Sequence, residues 1–132
     1  MKLSILLSLI CIGAFAQEKN YGTTLVSIDQ EIQGTLLSPK KQNNTPLAIL
    51  IAGSGPTDRD GNQAHLKNNS LKYLAEGLAE KEISVFRYDK RIIAQMNKGT
   101  VQEDKLTFED VVNDALLVVN YFKEKYKDIR GL

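Results

Sequence analysis

The chain has 132 residues, 42% hydrophobic and 25% charged, an ordinary globular composition that supports one compact domain and excludes a disordered, collagen-like or disulfide-stapled protein. Lysine and arginine number 17 against 16 aspartate and glutamate, a formal net charge of +1. The charges are dispersed, so there is no basic field for a nucleic acid and electrostatics names no partner. Met1-Lys2, the apolar run Leu3 to Ile12 and the small-x-small triplet Ala14-Phe15-Ala16 form the pattern of an export signal. Residues 1–16 are therefore expected to be removed near Ala16, leaving an exported, periplasmic or extracellular, chain that starts at Gln17 with 16 basic and 16 acidic residues. The apolar run falls short of the roughly 20 residues that span a bilayer, and no other segment comes close. Cys11 is the only cysteine; a lipid anchor would want a small residue before it, where Ile10 stands. After cleavage no thiol remains for a disulfide, a nucleophile or a metal.

Residues 21–28 and 31–37 are rich in β-branched side chains and read as an N-terminal β-hairpin that Pro39 ends, with a polar loop from Lys40 to Thr45. Leu47 to Ala52 is an uninterrupted apolar run of strand length, the pattern of a central parallel strand buried on both faces. The turn formers Gly53 to Asn62 follow it. Ser70 to Glu82 carries Leu71, Leu74, Ala75 and Leu78 at helical spacing, with Asn69 or Ser70 as cap, and Ile83 to Tyr88 reads as a second parallel strand joined by a right-handed crossover. Asp89-Lys90-Arg91 opens another loop. Thr107-Phe108-Glu109-Asp110 has the form of a capping box for a helix to about Tyr126, whose expected buried stripe is Phe108, Val111, Val112, Ala115, Leu116, Val119 and Phe122. Such a helix should lead into another parallel strand, but the sequence reaches Leu132 first, so the architecture reads as α/β and unfinished.

The loop after the apolar strand carries the chemistry, because ligands bind outside the carboxyl ends of strands in open α/β sheets. Gly53-Ser54-Gly55 would let backbone N–H groups approach a forming oxyanion; a plain strand-to-loop turn is the competing reading. A phosphate cradle fails on spacing, since G-x-G-x-x-G would need glycine where Asp58 stands and no Gly-Lys-Ser/Thr occurs. Asp58, Arg59, Asp60 and Asn62 lack the closing glutamate of a calcium loop, so no metal is expected. The reading is instead that the two aspartates fix the loop through turn hydrogen bonds while Arg59 pairs with one of them. His65 is the lone histidine, which excludes a two-histidine metal site and suits a structural or exposed role. No serine sits in G-x-S-x-G; Ser54 comes nearest, with Ala52 and Pro56 at the flanking positions.

Residues 50–62, Leu-Ile-Ala-Gly-Ser-Gly-Pro-Thr-Asp-Arg-Asp-Gly-Asn, then Asn69-Ser70-Leu71-Lys72-Tyr73-Leu74-Ala75, then Val85-Phe86-Arg87-Tyr88-Asp89-Lys90-Arg91, resemble the N-terminal half of a bacterial α/β-hydrolase of the exported serine esterase type. The Gly-Ser-Gly-Pro-Thr-Asp-Arg-Asp-Gly string is highly specific and the Tyr-Asp-Lys-Arg string moderately so; the resemblance covers residues 21–130. It implies a partial α/β-hydrolase fold, a hairpin followed by βαβα of a mostly parallel sheet over residues 17–132, cut before the nucleophile-elbow strand. It also implies that the Ser54 backbone N–H is an oxyanion-hole donor, with Gly53 and Gly55 shaping the turn, while the serine nucleophile, acid and histidine fall beyond Leu132. His65 precedes that nucleophile and is out of triad order. One departure is Ile92-Ile93-Ala94, where many α/β-hydrolases have Gly-x-Gly.

The implied function is hydrolysis of a small-molecule carboxylic ester without a cofactor, through residues outside this sequence, the piece itself being inactive. The alternative is a non-catalytic exported α/β domain that binds a partner or ligand. Its uncovered apolar helix face would then call for self-association or a partner chain.

Overall fold

The computed structural model describes residues 18–41 and 44–126; residues 1–16, where an export signal is expected, and residues 127–132 lie outside them. Strands β1 (Tyr21–Ser27) and β2 (Gln33–Pro39) form the expected hairpin, paired from Tyr21↔Pro39 to Ser27↔Gln33. Its turn is set by the Asp29 carboxylate, which accepts the Glu31 and Ile32 N–H groups at 2.7 and 2.6 Å. Strand β3 (Leu47–Ile51) runs to helix α1 (Ser70–Ala79), and strand β4 (Ser84–Tyr88) returns parallel to β3. Helix α2 (Arg91–Lys98), a short 3-10 turn and helix α3 (Phe108–Lys125) complete the described chain.

Two expectations about the sheet are corrected. Among the described strands its order is β1-β2-β4-β3, so β4, buried along its whole length, is central there while β3 lies at an edge with Ile51 45% exposed. The apolar run of β3 nonetheless has a physical cause, since each of its faces meets a different layer. Leu47 and Ile49 pack against the cluster of Phe86, Tyr88, Val118 and Phe122, whereas Ala48 and Leu50 pack against that of Val85, Ala75 and Ala79. The sheet is also mixed, because the hairpin places β2 antiparallel against β4, leaving β3–β4 as the parallel pair among the described strands. At the β2–β4 seam a side chain on Gly34 would overlap the Phe86 ring, which explains a glycine inside a strand.

The two clusters place α1 on one face and α3 on the other, a three-layer arrangement. Helix α1 buries Ala75 and Ala79, with Leu78 packed beside them; Leu74, expected in the core, is half exposed. Small residues at the contact bring the helix close to Val85. Asn69 stands at the N-cap position in a left-handed conformation but makes no side-chain cap; the Asp60 carbonyl accepts the Leu71 and Lys72 N–H groups instead.

Helix α3 carries the expected capping box. Thr107 Oγ1 accepts from the Asp110 N–H, and the Asp110 carboxylate accepts from the Thr107 N–H at 2.8 Å. Replacing Thr107 with alanine should cost about 1 kcal/mol, measured as a fall in the denaturant midpoint without a change in slope. The buried face differs from the expected stripe. Asp114, Val118 and Phe122 face the sheet, with Phe122 and Phe86 at 4.7 Å between ring centroids, while Phe108 is 79% and Leu116 55% exposed. Of that stripe only Phe122 is buried. The stretch 91–98, where Asp89-Lys90-Arg91 is expected to open a loop, is helix, ended by Gly99 in the left-handed region at φ 67°.

Candidate active-site loop

Residues 53–62 leave the carboxyl end of β3 and form a loop held almost wholly by polar contacts. Asp58 organises its second half: its carboxylate accepts the Asp60 and Asn62 N–H groups at 2.9 and 2.8 Å, and its backbone exchanges bonds with Gly61 and Asn62. Gly61 sits at φ 91°, where a side chain would also strike Ser70. Asn62 reaches forward, its side-chain Oδ1 accepting the Asn68 and Asn69 N–H groups, so the loop is tied to the start of α1. The expected turn role of the aspartates thus holds for Asp58.

Arg59 and Asp60 do something else. Arg59 pairs with neither loop aspartate; its Nε and Nη2 donate to Asp89 at 2.9 and 2.7 Å, its backbone N–H donates to the same carboxylate at 2.7 Å, and Nη1 reaches Thr35. Asp60 accepts from Nε of Arg87, a buried arginine on β4, at 3.0 Å. Two crossed ion pairs therefore lace the loop to β4 and its exit. The correction has a simple cause: side chains 59 and 60 point toward the strand rather than along the loop, and partners 27 and 30 residues away satisfy them.

The Tyr88-Asp89-Lys90-Arg91 string completes the frame. Lys90 Nζ donates to the carbonyls of Gly53 and Gly55 at 2.5 and 2.7 Å. Arg91 binds three carboxylates, Asp114 through Nε at 2.6 Å, Glu31 through Nη1 and Asp29 through Nη2 at 3.0 Å each. Burial opposes the Arg91 charge, but the hydrogen bonds to Asp114 and Glu31 outweigh it and raise its pKa. Burial lifts the Asp114 carboxyl above its usual range despite Arg91. Burial also pushes Tyr88 up to about 12, with the Asp114 charge adding to it, and depresses Lys90.

Within the glycine turn, Thr57 Oγ1 donates to the Ser54 carbonyl at 3.1 Å and the Thr57 N–H to that of Gly55 at 2.9 Å. Gly55 sits at φ 71°, a conformation that favours glycine. The carbonyls of residues 53, 54 and 55 are thus all engaged, while no acceptor among the described residues takes the Ser54 or Gly55 N–H. Amides of this kind can donate to an oxygen that acquires negative charge. Beside Gly55 lies a mainly apolar cleft of about 220 Å³ lined by Lys90, Ile92, Leu106, Phe108 and Val111 among others. His65 is exposed in the short turn closed by the Gln63–Leu66 bridge. Among the described residues no group of three His, Cys, Asp or Glu is arranged to hold a metal, and no helix is long and apolar enough to cross a membrane.

Sequence reasoning missed Asp89, Lys90, Arg91 and Arg87 as parts of this unit. The available signal was the density of charge in 87–91 directly after a buried strand, where every ion needs a partner.

The chain is 36% identical over 99 residues to a protein named esterase EstD from Thermotoga maritima, a match that covers 74% of this chain and 22% of the relative. The chain therefore spans less than a quarter of the length of the curated relative it matches. No family model matches the chain, and no solved structure does.

Proposed function

We propose that residues 18–126 are the opening part of an α/β-hydrolase domain in an exported carboxylic ester hydrolase, in which the Ser54 N–H is an oxyanion-hole donor. The nucleophilic serine, its acid and its histidine are then supplied by segments outside this sequence, and the piece by itself does not turn over esters. The likeness to an esterase carries the reaction class. The Ser54 amide beyond the carboxyl end of β3, which has no acceptor among the described residues, fits it, because acyl transfer develops negative charge on the substrate carbonyl oxygen. A rigid donor aimed there is worth about 2.7–4 kcal/mol of barrier.

The open side of the sheet fits the same reading. Strand β3 is apolar on both faces yet lies at an edge, and α3 leaves Phe108 and Leu116 outward on an apolar surface. A further strand beside β3 would bury both. That exposed α3 surface is also the observation that favours the second reading, a non-catalytic domain that associates with itself or a partner.

Labelling of the native exported protein with a fluorophosphonate, followed by peptide mapping, separates the two. The expected result is one labelled serine that lies in no peptide of residues 1–132, together with an intact mass well above that of residues 17–132. Label on Ser54 would overturn its role as a backbone donor. No label, with a mass matching residues 17–132, would establish the non-catalytic domain.

A further inference from the structure

We propose that Lys90 is a positioning residue for the Ser54 amide, fixing and polarising the peptide planes of the glycine turn so that the N–H presents itself as an oxyanion donor. The inference rests on the esterase reading and adds to it the group that holds the donor in place.

The geometry of the peptide supplies the argument. Lys90 Nζ draws the Gly53 and Gly55 carbonyls to one cation at 2.5 and 2.7 Å. No peptide among the described residues is cis, and in a trans peptide the C=O and the following N–H point in opposite directions. A Gly53 carbonyl turned toward Lys90 therefore turns the Ser54 N–H away from it. Thr57 Oγ1 fixes the next plane through the Ser54 carbonyl. An ammonium on the carbonyl oxygen also draws electron density through the amide, which strengthens the N–H as a donor.

Packing does not supply this order. A Cβ built on Gly53 or on Gly55 would meet nothing within 4 Å, so no side chain packed at these two positions fixes the turn, and the contacts that hold its carbonyls are the polar ones from Lys90 and Thr57. Lys90 is suited to the task because its own main chain is held on both sides. Asp89 before it binds Arg59 and Arg91 after it binds three carboxylates.

The test compares Lys90→Met, which keeps the length and apolar stem, with Lys90→Arg, which keeps the charge and can bridge two carbonyls. In isotope-labelled chain, Lys90→Met should shift the Gly53 carbonyl and Ser54 amide resonances while those of α1 and α3 stay in place, and Lys90→Arg should restore most of the shift. An unmoved Ser54 amide in Lys90→Met overturns the proposal whatever the protein catalyses. So does a Lys90→Met chain that no longer folds while Lys90→Arg does, since the lysine would then determine the fold rather than one peptide's orientation. In the protein of native length, Lys90→Met should lower kcat for p-nitrophenyl acetate by about 10- to 100-fold with KM little changed, and Lys90→Arg should recover it. A change confined to KM overturns the positioning role. A shifted Ser54 amide in a protein that hydrolyses no ester upholds the tie between Lys90 and Ser54 and removes the esterase reading alone.

Discussion

Replacing Arg91 with methionine is expected to cost about 3 kcal/mol or more of folding stability at neutral pH, the low end of the range for breaking a buried ion pair. The Arg91 side chain is 29% exposed, which moderates the effect, but its guanidinium serves three carboxylates at once and one of them, Asp114, is only 9% exposed. Without it Asp114 must stay charged on the buried face of α3 or take up a proton. The loss should depend on pH with a definite sign. Burial works to raise the Asp29 pKa, but the Glu31 and Ile32 N–H groups and Arg91 together hold it below its ordinary value. Asp29 therefore contributes stability that is present above its unfolded pKa and fades as pH falls through its folded one. The folded pKa of Asp114 is raised, so its contribution has the opposite sense, full below the unfolded value and lost as pH rises through the folded one. In Arg91→Met both carboxyls move upward, so the deficit relative to the parent should shrink as pH falls into the carboxylate range, near about 4. Urea unfolding followed by circular dichroism at pH 7 and at acid pH measures this. An equal deficit at both would assign the loss to packing by the arginine stem instead of charge.

That buried carboxylate also explains what periodicity could and could not disclose. Residues 111–122 of α3 are apolar almost all round, so an apolar stripe can be drawn along more than one face. The stripe through Val111, Ala115 and Val119 avoids charge and is the natural choice from sequence. The protein uses the line through Asp114, Val118 and Phe122, which admits an aspartate because Arg91, 23 residues earlier, neutralises it. The hairpin, the start of α1 and the capping box were legible because their causes are local: β-branched runs, helical spacing and a threonine three residues before an aspartate. The strand order was not, since nothing in Leu47–Ile51 says that β4 rather than β3 takes the middle of the described sheet. At the candidate site the glycine turn and Asp58 could be read in the same local way. The frame around them could not, because Arg59–Asp89, Asp60–Arg87 and Lys90 with the Gly53 and Gly55 carbonyls are contacts between two strings that the sequence separates by about thirty residues. Two of the three segments that carry the resemblance turn out to be one interlocked unit.

The Asp60–Arg87 pair gives the sharpest test of that unit. Asp60→Ala should cost about 3 kcal/mol, whereas Arg87→Met should cost distinctly less. Arg87 is 7% exposed in its side chain, and its Nη1 already lacks a partner among the described residues. Removing Asp60 therefore strands a cation in the layer between the sheet and the 53–62 loop. Removing Arg87 leaves a carboxylate that is one-third exposed and can turn to water. The methionine also fills much of the arginine's volume on the β4 face that holds Val85. Because the Asp60 carbonyl, unaltered by the substitution, still caps the first turn of α1, the difference between the two single variants reports on the stranded charge and not on helix capping. The double variant should recover most of what Asp60→Ala loses, giving a coupling of at least about 1 kcal/mol in a double-mutant cycle. Additive losses, or an Arg87→Met variant as unstable as Asp60→Ala, would mean that the arginine acts through its packing and that the loop is held at β4 by the Arg59–Asp89 pair alone.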